Sequence, residues 1–297
     1  MGLIWELDFY SRPLLDDEKK KRWEVLICES PQQIDIEPDS IYRYAQFCPS
    51  TTVNSIWLGE AINKAIAENG KTPTKIRFFR RQMKNMITKA CEEIGIEAVP
   101  SRRTYTLNHW LKQRLTEYYP TLTGYDSQAA SSATVQYPEL NAIALPDAVR
   151  GDKGDKWALV SLPVKDFQEM NQWDIAFGEA FPLSMYNLNP DLAIPGLIIF
   201  SSRAIPLAGW LSGLELSYCY LDEITPSARE LLKQVYRLRL ETGVSDSWIL
   251  ADITDEGSLA EAFGFSNAKN QVQQIHFLAI QSSPEAESFA GFWLLQG

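Results

Sequence analysis

The stretch Ile4-Trp5-Glu6-Leu7-Asp8-Phe9-Tyr10 alternates large apolar side chains with charged ones. A period of two belongs to a strand with one buried face. Outward from it, Arg12-Pro13 and the charged run 16–22 read as a turn or loop. Trp23-Glu24-Val25-Leu26-Ile27-Cys28 reads as a second strand, residues 31–40 as a loop and residues 41–47 as a third strand. Pro49-Ser50-Thr51-Thr52 then supplies helix-start chemistry. Val53, Ile56, Trp57, Ala61, Ile62, Ala65 and Ile66 recur at helical spacing, and Asn69-Gly70 stops that helix. A strand over 75–80, an amphipathic helix over 82–94 ending at Gly95, a strand over 96–100 and a helix over 106–118 complete the first part.

This order, β-β-β-α-β-α-β-α, makes a mixed sheet with helices on its faces. It is the order of the ribonuclease H-like fold, offered as analogy. The predicted fold class is α/β with two mixed-sheet domains: a ribonuclease H-like domain at 1–120, a linker at 121–155 rich in small, polar, Pro and Gly residues, and an acidic α/β domain at 156–297. In the second half, strands are expected at 156–162, 197–200, 207–211, 214–221, 247–252, 274–280 and 289–295. Helices are expected at 228–240, behind a Thr225-Pro226-Ser227 cap, and at 255–270, broken at Gly264. That succession echoes the first half and suggests a related domain.

Composition bounds the function. Of 297 residues, 45% are hydrophobic and 22% charged, which is ordinary globular usage. The longest apolar runs fall far short of the ~18 residues that span a bilayer. Glu6, Asp8 and Arg12 interrupt any export signal at the start. With four cysteines, two histidines and no CxxC pair, the common zinc patterns are excluded. Cys28, Cys48 and Cys219 lie in apolar runs and read as buried thiols in a reducing compartment. There is no GxxxxGK[ST], GxGxxG or GxSxG, and His109 and His276 stand apart, each read as structural. No cofactor, metal or catalytic set is expected.

The net charge of -10 hides an asymmetry. Residues 1–150 hold 19 basic and 19 acidic side chains, so the whole negative balance lies in residues 151–297. Within 71–114, 11 basic residues face only Glu92, Glu93 and Glu97. A local positive field binds phosphate even on an acidic molecule, because screening confines each charge to about 8 Å. Lys75, Arg77, Arg80, Arg81, Lys84, Arg102 and Arg103, interleaved with Tyr105 and Trp110, suit single-stranded RNA: arginine pairs phosphates and aromatics stack on unpaired bases. A solvated helix face and a site for an acidic protein are the competing readings.

Asp8 on the first strand and Glu60 on the first helix would suit a two-metal nuclease, but the fourth strand, Lys75-Ile76-Arg77-Phe78-Phe79-Arg80, carries no carboxylate. A salt-bridged structural carboxylate, or a degenerate relic of a metal site, is the alternative. Trp293-Leu294-Leu295 near the C-terminus reads as a strand tied into the core, or else as a docking or base-stacking surface.

The opening Ile4-Trp5-Glu6-Leu7-Asp8-Phe9-Tyr10-Ser11-Arg12-Pro13, the strand Trp23 to Cys28 and the terminal Gly291-Phe292-Trp293-Leu294-Leu295 resemble the Tab-two family over essentially the whole chain. These are RNA-binding proteins of plant and algal chloroplasts with cyanobacterial relatives, and Trp-Leu-Leu is their signature. The resemblance implies a non-enzymatic role: binding the 5′ untranslated region of a photosystem I reaction-centre mRNA, with support of photosystem II in plant members. The expected partner is single-stranded, AU-rich RNA, with other translation or photosystem assembly proteins beside it. A protein-binding assembly factor and a metal-dependent nuclease are the alternatives. The start at Met1-Gly2, without a Ser- and Arg-rich leader, suggests a cyanobacterial member acting in the cytoplasm, or a mature form, with chloroplast stroma expected for eukaryotic relatives.

Overall fold

The computed structural model describes residues 2–131, 140–152, 154–224 and 235–297. The chain divides into two compact units, Met1–Pro31 with Asp39–Pro138, and Gln32–Pro38 with Glu139–Gly297.

The first unit runs β1 (Ile4–Leu15), β2 (Lys21–Glu29), β3 (Arg43–Cys48), α1 (Ser55–Asn69), β4 (Lys75–Phe78), α2 (Lys84–Glu93), β5 (Glu97–Pro100), α3 (Tyr105–Gln113) and the short α4 (Ser127–Ser131). Its sheet has the order β3-β2-β1-β4-β5. β1, β2 and β3 are antiparallel, while β4 pairs parallel to β1 and β5 parallel to β4.

Alternation in β1 gives the sheet two unlike faces. Trp5, Leu7 and Phe9 join Val25, Ile27, Ile76 and Phe78 in an apolar core covered by α1 and α2 through Leu58, Ala61, Ile62, Ile87 and Ala90. Burying each such large side chain stabilises the fold by about 1.5–3 kcal/mol. α1 starts where the Asn54 side chain accepts the Trp57 N–H at 2.9 Å. It stops at Gly70, whose φ of 71° is left-handed and whose N–H closes on the Ile66 carbonyl at 2.8 Å.

β1 is longer than the alternation suggests. It runs through Arg12-Pro13, where a turn was expected, and its register against β2 shifts between Ser11 and Leu15. Proline, which has no N–H to donate, is tolerated at such an irregularity. The Leu15 N–H instead donates to Gly124 O at 2.8 Å, and the Pro13 carbonyl accepts from the Asp126 N–H at 3.0 Å.

The second unit carries β6 (Ala142–Ala144), β7 (Lys156–Pro163), β8 (Ile175–Glu179), β9 (Ala193–Phe200), α5 (Ala204–Ser212), β10 (Leu216–Ile224), β11 (Val235–Thr242), β12 (Asp246–Ile253), α6 (Glu256–Gln271), β13 (Ile275–Gln281) and β14 (Phe289–Gln296). The described residues form two sheets here, β10-β11-β12-β6 and β7-β9-β13-β14-β8, where the first unit has one. Within 121–155, read as a linker, lie α4 and β6, and β6 pairs parallel with β12.

Three element assignments differ from the sequence reading. Residues 207–211 belong to helix α5, not a strand: Leu207, Ala208 and Leu211 bury a helical stripe, and Pro206 sits harmlessly in the first turn. Residues 235–240, read as helix, are strand β11, in which buried Leu238 and Leu240 alternate with Arg237, Arg239 and Glu241. The start of that expected helix lies outside the described residues. α6 continues through Gly264, and its N-terminus is capped by the Asp255 side chain, which accepts the Ser258 N–H at 2.8 Å.

Trp293, Leu294 and Leu295 lie on β14, between β13 and β8 in the sheet. They are 3%, 0% and 0% exposed, so the docking-surface reading is corrected to core. Trp293 and Leu295 pack with α5, α6 and β10 side chains. Neighbouring Phe292 faces an aromatic cluster, 5.0 Å from the Phe277 ring and 5.3 Å from Trp173. At Gly196 a Cβ would lie 2.2 Å from the Phe277 ring, so the missing side chain makes room for this stack. Trp293→Ala is expected to cost about 3–5 kcal/mol and Leu295→Ala about 2–5 kcal/mol. Denaturant midpoints check this; a surface docking motif would leave stability within about 0.5 kcal/mol of the unaltered chain.

Candidate nucleic-acid interface

The second face of the first sheet is ionic. Glu6, Asp8 and Arg12 of β1 share it with Glu24 of β2 and Arg77 of β4, as the pairings Tyr10 with Glu24 and Glu6 with Arg77 show. All five are buried. Helix α3 covers part of this face, packing Leu107 and Trp110 on Leu26, Cys28 and Phe79.

Asp8 is the hub. Its Oδ1 accepts from Arg80 Nε at 2.6 Å and its Oδ2 from Arg12 Nη1 at 2.7 Å. Burial disfavours its charge, but Arg12 and Arg80 more than offset that, and its pKa lies below the usual carboxylate value. Burial opposes the charge of Arg12 as well, yet Asp8 and Glu24 hold its pKa above normal. Arg12 Nε also donates to Glu24 Oε2 at 3.1 Å, and Glu24 further accepts from Arg114 Nη2 and the Tyr119 hydroxyl. Glu6 accepts the Ser30 hydroxyl at 2.7 Å and the Leu107 backbone N–H at 2.7 Å. That second bond places a carboxylate at the α3 N-terminus, where exposed N–H groups and the helix dipole favour it. Ser30 Oγ in turn accepts from Arg77 Nη1 at 3.3 Å. Burial and then Glu6 raise the Cys28 thiol well above its usual range.

The network corrects the sequence reading of the basic segment. Arg77, Arg80 and Arg103 are buried at 2%, 7% and 2% exposure, so they do not form an open cationic surface. Tyr105 and Trp110 are buried too, at 5% and 9%. Arg80 lies 4.1 Å from the Tyr10 ring centroid, and Arg103 5.2 Å from that of Tyr105. Arg81 and Lys84 are exposed and Arg102 is half-buried. All three follow the carboxyl ends of neighbouring strands: β4 and β5 end in register, Phe78 beside Pro100, with the Ser101 N–H donating to Phe78 O at 2.8 Å. The crevice beyond the carboxyl ends of parallel strands is where α/β sheets commonly hold ligands. Lys75 lies apart, at the opposite end of β4, roughly 10 Å away along the strand.

Asp8 and Glu60 are not brought together. Asp8 lies on the α3 face, whereas α1, which carries Glu60, packs on the other face with Glu60 exposed. Among the described residues no group of three or more His, Cys, Asp or Glu side chains is placed to hold a metal ion. All four cysteines are buried and unpaired. His276 is buried, its Nε2 accepting the Cys219 N–H at 2.7 Å and its Nδ1 facing Gln274 O at 2.8 Å, which fixes the neutral tautomer. Burial and nearby Lys269 keep its pKa well below the usual histidine value. Burial likewise brings Lys269 down to about 8, and its ammonium donates to Cys219 O.

The sequence reading missed Arg12, Glu24, Tyr119 and the capping role of Glu6. The signal was present in β1: charged residues spaced by two on a strand whose alternate positions are Trp, Leu and Phe. On a sheet covered on both faces, such residues meet buried partners and not water.

The family model for the RNA-binding protein Tab2/Atab2 N-terminal region matches residues 4–114, and that for its C-terminal domain matches residues 132–296. The chain belongs to this family of RNA-binding proteins. Among curated relatives, the chloroplastic protein TAB2 homolog of Zea mays is 34% identical, covering 98% of this chain and 70% of the maize protein. Its Arabidopsis thaliana counterpart is also 34% identical, covering 98% of this chain and 74% of that protein. No solved structure matches the chain. Among the described residues no helix is long and apolar enough to cross a membrane.

Removing the Asp8 charge takes this anion from buried Arg80 and leaves buried Arg12 with Glu24 alone. Asp8→Asn is therefore expected to destabilise the chain by about 3–5 kcal/mol. Because the folded pKa of Asp8 is depressed, its contribution is complete above the unfolded value of about 3.9 and is lost as pH falls through the folded value. Urea midpoints measured from pH 7 down to pH 3 should fall with acid in the unaltered chain, and less steeply in Asp8→Asn.

Proposed function

We propose that this protein is a non-catalytic RNA-binding factor that grips the backbone of single-stranded RNA at the carboxyl ends of β4 and β5, through Arg81, Lys84 and Arg102. The observation that carries the reading is the match of both RNA-binding family models along nearly the whole chain. The exposed cations Arg81 and Lys84, with half-buried Arg102, supply a phosphate contact of suitable chemistry. The finer role follows the family resemblance: binding the 5′ untranslated region of a photosystem I mRNA and promoting its translation, with action in the cytoplasm of a cyanobacterial cell or the stroma of a chloroplast. A non-catalytic role is supported at Asp8, the residue best placed for metal chemistry, because both of its oxygens are occupied by guanidinium donors.

Binding should weaken as salt rises, with a slope of about 0.7 in log K per neutralised phosphate. Arg81→Glu with Lys84→Glu should lower affinity and reduce that slope by roughly 1.4, read by fluorescence anisotropy with a labelled AU-rich 5′ untranslated-region fragment. Unchanged affinity and slope would remove this contact surface. Labelled RNA incubated with the protein and magnesium should stay intact; cleavage would remove the non-catalytic reading.

A further inference from the structure

We propose that the outer strip of the first sheet, where Arg22 lies over Phe47 and Arg114 over Tyr118, is a stacking platform for unpaired bases of single-stranded RNA. It rests on the RNA-binding reading above, but names a different surface and a different part of the ligand. The cations beyond β4 and β5 hold phosphates; this strip holds base faces.

The platform is built by register. Phe47, Ala45 and Arg43 of β3 lie opposite Glu24, Leu26 and Cys28 of β2, so they share the ionic face. β3 is the last strand of the sheet, and among the described residues no strand pairs with its outer side. α3 covers Leu26 and Cys28 but leaves Ala45, between Phe47 and Arg43 on the same face of β3, exposed.

The Arg22 guanidinium carbon lies 4.1 Å from the Phe47 ring centroid, and that of Arg114 4.1 Å from Tyr118. Tyr118 is 40% exposed, and Phe47 and Arg22 are half-buried. The two stacks are joined through Glu24, which lies across from Phe47 and pairs with Arg114. Directly opposed residues in a sheet stand about 5 Å apart, so Phe47 is linked to Tyr118 through the short chain Phe47, Glu24, Arg114, Tyr118.

The electrostatics fit the same ligand. Glu24, the acid beneath the strip, is buried and committed to Arg12, Arg114 and Tyr119. Exposed Lys112 and half-buried Arg43 flank the strip, and after burial it is these two charges that hold His109 below its ordinary pKa. Aromatic and guanidinium planes stack on any base with an open face, whereas in a duplex the base faces are hidden.

The test compares the unaltered chain, Phe47→Leu with Tyr118→Leu, and Tyr118→Phe, using a fluorescein-labelled 12-nucleotide uridine-rich strand and a duplex of equal length. Losing both rings should weaken single-strand binding by about 10- to 100-fold while leaving the salt slope unchanged. Tyr118→Phe, which keeps the ring, should bind as the unaltered chain does, and thermal melts should show all three folded. The duplex should bind more weakly than the single strand. Single-strand binding undiminished in the folded double Leu variant, or equal affinity for the duplex, overturns the platform while leaving the phosphate contact standing. Failure of the unaltered chain to bind any RNA overturns both.

Discussion

One carboxylate held between two guanidinium groups organises the first unit. Asp8 lies in mid-β1, Arg12 four residues on, and Arg80 just beyond β4, 72 residues away in sequence. In a buried setting such a triad depends on its central carboxylate, because removing Asp8 strips that counter-charge from both desolvated guanidinium groups and leaves only Glu24 on Arg12. The set therefore fixes where the chain leaves β4. That exit places Arg81 and Lys84 at the sheet end, so surface cations inherit their position from an interaction they do not touch.

The same logic extends to α3. Glu6 reaches from β1 to the Leu107 N–H, so the helix is held at its start by a carboxylate from the sheet, and at its far end Arg114 is drawn onto Glu24. Thr104, which precedes the helix, supplies no side-chain cap. A helix anchored at both ends by ions from β1 and β2 is a rigid cover, and Arg114 leaves it already oriented over Tyr118. Holding side chains in place before a ligand arrives lowers the entropy cost of binding.

The first unit was largely legible in the sequence because its signals are local: alternation in β1, β2 and β3, helical spacing in α1, and glycines at Gly70 and Gly95. The second unit was less so. In α5, the run Ala204-Ile205-Pro206-Leu207-Ala208-Gly209-Trp210-Leu211 is apolar nearly all round, and such runs give no period to choose between helix and strand. In β11, Val235-Tyr236-Arg237-Leu238-Arg239-Leu240 alternates visibly, yet a cap-like Thr225-Pro226-Ser227 upstream outweighed it. The candidate site was legible as an excess of charge but not as geometry, since burial is decided by which face α3 covers, and no spacing within the basic segment records that.

Residue type carried more of this information than charge did. Within 71–114 the lysines Lys71, Lys84, Lys89 and Lys112 are exposed, whereas Arg77, Arg80 and Arg103 are buried. The partition has a physical origin. A guanidinium is planar, weakly hydrated and able to satisfy several acceptors at once, so it enters a low-dielectric layer beside carboxylates at modest cost. An ammonium is more strongly hydrated, and within this segment it stays outside or, at Lys75, half-buried. A stretch rich in both is thus two things at once: its arginines build the frame and its lysines, with the few arginines left at the rim, form the surface. Counting all eleven as one cationic island overstates the field that an RNA strand meets. Weighing arginine toward the interior, wherever acids alternate on a neighbouring strand, accounts for Arg77 and Arg80 but does not separate them from exposed Arg81.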